Sequence, residues 1–334
     1  MDVTAADPDT VLDTLDRRLV CALQVNGRAG AGRIAEVLGI SARTVTRRLA
    51  RLQRAGLVRV VRMPGTEDAA VGALLLRVRV LHGEADTVAR ALADRPDVPF
   101  VDVMLGGREI GAVVLGDAGA HDRLSDGRPP ETASAAVVAE TAVHAVLHAF
   151  PDAGQWRSGH LGEAEAAALA EPPAARPAPG SVPPDELDRV LLARLGEDAR
   201  QSHAALAAAV GTPESTVRRR LNRLDGAGLV RTHVTVDPRL LGLAVDARLW
   251  LDVPPGRLAA VGAALARHPQ VHGVFATSGP ANLMAAVFCA DHGGLYRFVT
   301  DTLGPLGVGR AETTIVARAV KREGAPLPGP RARA

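Results

Sequence analysis

Gly39-Ile40-Ser41-Ala42-Arg43-Thr44-Val45-Thr46-Arg47-Arg48-Leu49-Ala50-Arg51-Leu52-Gln53-Arg54-Ala55-Gly56-Leu57-Val58-Arg59 reads as a turn, an arginine-rich helix and the start of a strand. The chain then writes it again without a gap: Gly211-Thr212-Pro213-Glu214-Ser215-Thr216-Val217-Arg218-Arg219-Arg220-Leu221-Asn222-Arg223-Leu224-Asp225-Gly226-Ala227-Gly228-Leu229-Val230-Arg231. Ser41 is placed to cap the first of these helices, and Thr212 the second, with Pro213 at its first helical position. Val45, Leu49 and Leu52 share one face, as do Val217, Leu221 and Leu224, and that face must be buried. Arg43, Arg47, Arg51 and Arg54 fall on the opposite side; Ser215, Arg219, Asn222 and Arg223 do so in the second copy. Arg48 and Arg220 lie on the flank, better placed for a phosphate or an internal carboxylate than for a base. Gly56 supplies the left-handed stop.

A basic stripe alone is ordinary solvated surface, and arginine is abundant here, with Lys321 the only lysine. The short helix before the stripe, the tight turn and the strand after it turn the reading toward a winged helix-turn-helix whose second helix enters the major groove of DNA. The charge distribution agrees. Net charge is only +2, but residues 15–62 carry 11 Arg against Asp16 and Glu36, and residues 187–231 carry 8 Arg against 5 acids. Apolar residues make up 47% of the chain and can build real cores, while aromatics at 2% exclude the stacking platforms of RNA-binding modules. Cys21 and Cys289 read as small core hydrophobes in a reducing cytoplasm. No apolar run approaches the roughly 20 residues of a membrane span, and the N-terminus lacks a signal peptide pattern. A cytoplasmic protein without membrane contact is expected.

Taken in order, the chain divides into a winged helix-turn-helix over 11–65, a ferredoxin-like βαββαβ domain over 70–150, a Pro/Ala-rich linker over 151–184, a second winged helix-turn-helix over 185–238, a second ferredoxin-like domain over 239–323 and a disordered tail over 324–334. The fold class is α+β. Leu74, Leu76, Val78 and Val80 alternate with Leu75, Arg77 and Arg79 in a first strand; strands at 98–104 and 110–115 turn around Gly106-Gly107. A helix near 118–126 is cut short by Gly127, Pro129 and Pro130, so the first of the two ferredoxin-like domains is expected to be degenerate. The linker holds a short helix at 163–170 ahead of a proline tract, an extended spacer. The second half keeps register with the first: Val253 answers Val80, Leu265 answers Leu92, Pro269 answers Pro96, Gly279 answers Gly106 and Glu312-Thr313 answers Glu140-Thr141.

With these motifs in hand the chain resembles the Lrp/AsnC (feast/famine) family of transcriptional regulators. The residues that carry the resemblance are Leu15-Asp16-Arg17-Arg18-Leu19, Asn26-Gly27-Arg28, Gly39-Ile40-Ser41 and the basic helix through Val58, then Leu187-Asp188-Arg189, Gly211-Thr212 and the second basic helix, then His268-Pro269-Gln270-Val271 and Thr277-Ser278-Gly279. One family unit is written twice, so the chain looks like a tandem-fused member. The resemblance implies a ligand-responsive regulator of double-stranded DNA, not an enzyme, that self-associates through its ferredoxin-like domains, either as an internal pseudo-dimer or as a homo-oligomer. It also implies an amino-acid-like effector near the Gly106 and Gly279 loops, with Glu109 and Asn282 where the family commonly places Asp, and Thr277 beside them.

Position along each basic helix sorts the DNA contacts. Arg43, Thr46 and Arg47, and likewise Ser215, Arg218 and Arg219, lie in the first half of their helices, nearest the base edges, and Thr44 and Thr216 are expected among the DNA contacts as well. Arg48, Arg51, Arg220 and Arg223 are expected to hold phosphates. The competing reading is a haem-biosynthesis-type decarboxylase on the same two-domain unit. Such enzymes typically carry an Arg-Arg-Phe-Gly run in the wing with a histidine beyond it; here the wings read Val58-Arg59-Val60-Val61-Arg62 and Val230-Arg231-Thr232-His233-Val234, and His233 is the only echo. His144 and His148 on a strand stand ~13 Å apart, too far to share a metal ion. No cofactor is expected.

Overall fold

Asp13 opens the first helix, α1 (Thr14–Val25), by accepting the Asp16 backbone N–H at 2.8 Å, while the Asp16 carboxylate accepts from the Asp13 N–H in return. The same reciprocal cap, Asp185 with Asp188, opens α6 (Glu186–Glu197) in the second copy. These coordinates are a computed structural model that describes residues 12–64, 73–95, 97–115, 137–150, 156–170, 184–227, 229–322 and 325–326. The expected break at Gly127–Pro130, the first residues, most of the proline tract and the last residues of the tail lie outside the described residues.

The chain folds as two units and passes between them: residues within 1–65 and 157–241 form the first, residues within 66–156 and 242–334 the second. In the first unit each copy contributes three helices and one strand. The first copy has α1, α2 (Ala31–Leu38), α3 (Ala42–Arg54) and β1 (Val58–Pro64); the second has α6, α7 (His203–Val210), α8 (Glu214–Gly226) and β6 (Val230–Val236). Leu19, Leu23, Ile34, Val45, Leu49 and Leu52 are buried in the first copy, and Leu191, Leu206, Val217, Leu221 and Leu224 in the second. Ser41 caps α3 by accepting the Thr44 N–H at 3.1 Å, and Gly56 takes φ +67 after it. The second copy differs from expectation. Pro213, not Thr212, stands at the cap of α8, and the helix starts one residue later with no side-chain cap. Neither wing strand folds back on itself. β1 pairs antiparallel with β6 from Val58 opposite Val236 to Pro64 opposite Val230, so each copy's wing is completed by the other's.

The short helix expected within the linker is present as α5 (Glu163–Leu169), and it docks on the first copy. Leu169 is buried, Asn26 Nδ2 donates to its carbonyl at 3.3 Å, Arg33 donates to the Ala168 carbonyl at 2.8 Å and Arg18 pairs with Glu165.

The second unit contains β2 (Leu74–Val80), α4 (Ala85–Ala93), β3 (Phe100–Met104), β4 (Glu109–Val114) and β5 (Val138–Ala149) from the first half. The second half supplies β7 (Val245–Asp252), α9 (Leu258–Ala266), β8 (Val271–Thr277), β9 (Leu283–Cys289), α10 (His292–Arg297) and β10 (Arg310–Arg322). α10 runs on into a π turn over Phe298–Leu303 and a 3-10 turn over Gly304–Leu306. Each half forms a four-stranded antiparallel sheet, β5-β2-β4-β3 and β10-β7-β9-β8, the ferredoxin-like order. The two sheets join at both edges. β5 pairs with β8 and β10 pairs with β3, which closes an eight-stranded barrel. Ala325–Pro326, expected in the tail, forms β11 against the end of β10.

Alternation decides what faces where. Leu74, Leu76, Val78 and Val80 pack with Val88, Ala89 and Leu92 of α4, and Ala247, Leu249, Leu251 and Val253 pack with Val261, Leu265 and Phe298. The intervening residues of β2 and β7 therefore face the barrel lumen. The registers also correct one equivalence. Arg77 lies opposite Ala142, while its counterpart Trp250 lies opposite Glu312, so Ala142 and not Glu140 answers Glu312. Cys21 and Cys289 are both buried free thiols.

Candidate nucleic-acid interface and effector site

The capping carboxylates decide which arginines of α3 are available. Asp16 is 1% exposed and accepts from Arg48 Nη1 at 2.9 Å and Arg51 Nη2 at 2.5 Å. Arg48 also donates to Asp13 at 2.6 Å. The second copy repeats the arrangement. Asp188, fully buried, accepts from Arg220 Nη1 at 3.1 Å and from Arg223, and Asp185 accepts from Arg220 at 2.6 Å. These bonds hold the Arg48 and Arg220 guanidiniums above their ordinary pKa. They hold the Asp185 carboxyl at about 2, through the Arg220 bond first and the Asp188 N–H second. Arg48, Arg51, Arg220 and Arg223, expected on phosphates, thus meet internal carboxylates, because a buried aspartate on the first helix needs a cation from the third. The signal lay in the sequence as Asp-x-x-Asp at the start of each first helix.

The opposite face is open. Arg43, Thr46 and Arg47 are exposed on α3, as are Ser215, Arg218 and Arg219 on α8. Thr46 Oγ1 donates back to the Ala42 carbonyl at 3.0 Å, which leaves its oxygen lone pairs outward. Thr44 and Thr216 are half-buried at the two helix starts; Thr44 shares a 2.9 Å hydrogen bond with Ser41, and the Thr216 N–H donates to the Pro213 carbonyl. The result is a fork-bearing surface at the N-terminal half of each helix, rooted on a neutralised inner stripe.

Gly106 lies in the β3–β4 turn with φ +97, and Gly279 takes the same φ in the β8–β9 turn. A cavity of about 540 Å³ opens beside the first of these turns, lined by Arg79, Leu81, His82, Leu105, Arg108 and Glu109 together with Gly106. Glu109 is already engaged. Both its oxygens accept from Arg77, at 2.9 and 3.1 Å, and Arg77 also reaches Glu312 of the second half while stacking over Trp250 at 5.2 Å. Burial lowers the Arg77 pKa, but the bonds to Glu312 and Glu109 outweigh that and raise it above the ordinary guanidinium value. Any contact from Glu109 to an effector therefore competes with an internal ion pair.

At the second turn the polar side chains are held by their own chain. The Asn282 amide is a clasp: its Oδ1 accepts the Val253 N–H at 2.9 Å and its Nδ2 donates to the Val253 carbonyl at 2.7 Å. Thr277 Oγ1 donates to the Ala281 carbonyl at 2.8 Å, and His144 Nδ1 sits 3.0 Å from the Ser278 carbonyl, over Gly279. Thr277, Gly279 and Asn282, expected to meet an effector, are occupied by their own chain. Arg79, His82 and Arg108, which sequence reasoning passed over, line the cavity beside Gly106. Among the described residues no group of His, Cys, Asp or Glu could hold a metal ion, and no helix is long and apolar enough to cross a membrane. His144 and His148 lie on β5, His144 against Trp250 and His148 edge-on to Phe150.

Comparison with known proteins agrees with the fold of these domains. A winged helix-turn-helix DNA-binding profile matches residues 12–59, an AsnC-type helix-turn-helix domain matches 185–225 and an Lrp/AsnC ligand binding domain matches 247–326. An uncharacterised HTH-type transcriptional regulator of Pyrococcus abyssi is 30% identical over 141 residues, which are 42% of this chain and 89% of the relative. The HTH-type transcriptional regulator AldR of Mycolicibacterium smegmatis is 32% identical over 123 residues, 36% of this chain and 72% of the relative. Each relative is thus about half the length of this chain. Across both units the fold is similar to the crystal structure of the siroheme decarboxylase NirDL, with a TM-score of 0.58, 94% of each chain covered and 12% identity, a likeness of fold alone. The chain belongs to the Lrp/AsnC family of helix-turn-helix transcriptional regulators, as a DNA-binding protein with a ligand-binding domain and with the family's unit written twice.

Proposed function

We propose that this regulator reads its operator with Arg43, Thr46 and Arg47 of α3 and with Ser215, Arg218 and Arg219 of α8, while Thr44 and Thr216 meet phosphates at the helix starts. One observation carries the assignment: these side chains are exposed, whereas Arg48, Arg51, Arg220 and Arg223 are tied to Asp16 and Asp188. An arginine free to present its fork is suited to guanine O6 and N7. An arginine anchored internally still contributes a positive field to the phosphate backbone, but not a bidentate contact. The protein acts on double-stranded DNA in the cytoplasm.

The effector enters beside Gly106. Arg79, His82 and Arg108 surround the cavity with cationic or protonatable groups, and Leu81 and Leu105 supply apolar wall. Arg79 pairs with Glu140 at 3.1 Å across exposed surface, a contact of little energy that a ligand can displace. That set favours a small carboxylate with an apolar portion over a free ammonium. Exposed Leu81 and Leu105 at the cavity rim also suit contact with a second copy of the chain.

Selection from a randomised duplex pool, followed by mobility shift, tests the DNA reading. Wild-type protein enriches a defined site, and Arg43→Ala/Arg47→Ala loses it. Enrichment of the same site by that variant would reject the assignment. The decarboxylase alternative makes a different forecast, a porphyrin absorbance shift on titration. The wing residues speak for the regulator: Arg62 is buried against Asp225, and His233 is held within the β1–β6 pair.

A further inference from the structure

The barrel lumen is ionic on one side and hydrocarbon on the other. Asp102 of β3 accepts from Arg248 of β7 at 2.6 Å and from Arg322 of β10. Arg248 also holds Asp246, Arg322 reaches the same carboxylate at 2.9 Å, and His272 Nε2 lies 3.3 Å from it. Asp102, Asp246, Arg248 and Arg322 are all nearly buried.

The strand registers name their duplicates. Leu75 faces Val113 as Arg248 faces Ala286 in the corresponding strand pair, so Leu75 is the counterpart of Arg248 and Ala73 that of Asp246. The matching turns at Gly106 and Gly279 make Phe275 the counterpart of Asp102. Ala73, Leu75 and Phe275 pack together in one apolar cluster. The ionic cluster joins Asp102 of the first half to Asp246, Arg248, Arg322 and His272 of the second, and the apolar one joins Phe275 of the second half to Ala73 and Leu75 of the first.

Pairing a half with a copy of itself would cross the two sets. Two first halves would set Asp102 against Ala73 and Leu75, a buried carboxylate without a cation. Two second halves would set Phe275 against Asp246 and Arg248. Unpaired charge in an apolar setting is among the strongest penalties a protein interior offers. The first unit carries an independent instance. Arg62, 3% exposed on β1, is bonded to Asp225 of α8, whose counterparts are Val234 and Gln53. A pair of first copies would leave Arg62 facing glutamine.

We propose that these one-sided ion clusters form a pairing lock: each half of the chain is built to accept the other half and to refuse its own copy. A shared chain already favours the internal pair by holding the halves at roughly millimolar effective concentration. The lock adds discrimination between chains, so that two chains meeting at high concentration do not exchange into homotypic barrels. The assembly then always presents one α3 and one α8. This inference does not depend on which base or effector the protein binds.

The test uses the full chain with a protease site placed within 171–183, purified intact, cut, unfolded and refolded. The two pieces differ in mass, so native mass spectrometry counts the pairs. Heterotypic pairs are expected to exceed either homotypic pair at least tenfold. A statistical one-to-two-to-one mixture would overturn the lock. A second measurement leaves the chain uncut. Asp102→Arg and Arg248→Asp each unbalance the cluster alone, but co-refolded they restore it across two chains. A two-chain species holding one of each variant is expected, absent from either variant by itself. Single chains only, melting like wild type, would overturn the proposal as well.

Discussion

Val61 of β1 lies opposite His233 of β6, and the two are the same position of the duplicated unit. A pseudo-twofold axis therefore passes between them and relates α3 to α8. Recognition helices related by a twofold address two half-sites. Here the outer faces differ: Arg43 stands where the second copy has Ser215, Ala50 where it has Asn222, and Arg54 where it has Gly226. The operator is expected to have unequal arms. Hydroxyl-radical footprinting on the selected site checks this; equal protection of both arms of a perfect palindrome would count against it.

Two neighbouring arginines should separate by readout. Arg47→Ala removes an exposed fork, and is expected to relax preference at one base position by ~1–3 kcal/mol with the melting temperature unchanged. Arg51→Ala takes a partner from the buried Asp16 carboxylate, and is expected to lower stability by ~1–3 kcal/mol with base preference unchanged. Binding-site selection and thermal unfolding on both variants decide the matter. The reverse pattern would remove Arg47 from the reading set.

Much of this architecture was legible from periodicity. The basic helices, their buried faces at Val45, Leu49 and Leu52, and the βαββαβ order follow from spacing alone, because burial imposes 3.6- and 2-residue periods on local sequence. Closure of the barrel was less so, since the β3–β10 and β5–β8 pairs join strands from different halves and depend on edges that carry no local signature. The two-residue shift that makes Ala142 the counterpart of Glu312 escaped for a related reason: residue identity favoured Glu140, while the ladder favours hydrogen-bond register. At the sites, a helical wheel places Arg51 outward but cannot see Asp16 arriving from another helix. Asn282 reads as a polar turn residue until the Val253 backbone is seen beside it.

Acid should reach the second helix-turn-helix through Asp185. Its carboxyl is held at about 2 in the folded chain against 3.8 when free, by the Arg220 bond and then the Asp188 N–H. A depressed folded value means the carboxylate stabilises the fold above the free value, and that this contribution fades as pH falls through the folded one. Asp185→Asn keeps a cap acceptor but not the charge. The variant is expected to be less stable than wild type near neutral pH, with the gap closing as pH approaches about 2. Acid titrations followed by circular dichroism measure the gap; one that stays constant with pH would assign the loss to the cap instead.

Asn282 offers a clean separation of scaffold from ligand site. Its amide satisfies both the N–H and the carbonyl of Val253, a residue with no exposed surface, in the turn that mirrors the cavity beside Gly106. Asn282→Ala leaves both backbone groups without that partner, a loss of ~1–3 kcal/mol for a buried donor or acceptor. Arg108→Ala, exposed at the first turn, touches no such bond and is expected to leave stability within ~0.5 kcal/mol. The effects should cross when small carboxylates are added to the protein: ligand-induced thermal shift persists in Asn282→Ala and falls in Arg108→Ala. Loss of the shift in Asn282→Ala at temperatures where the variant is folded would move the effector to the second turn.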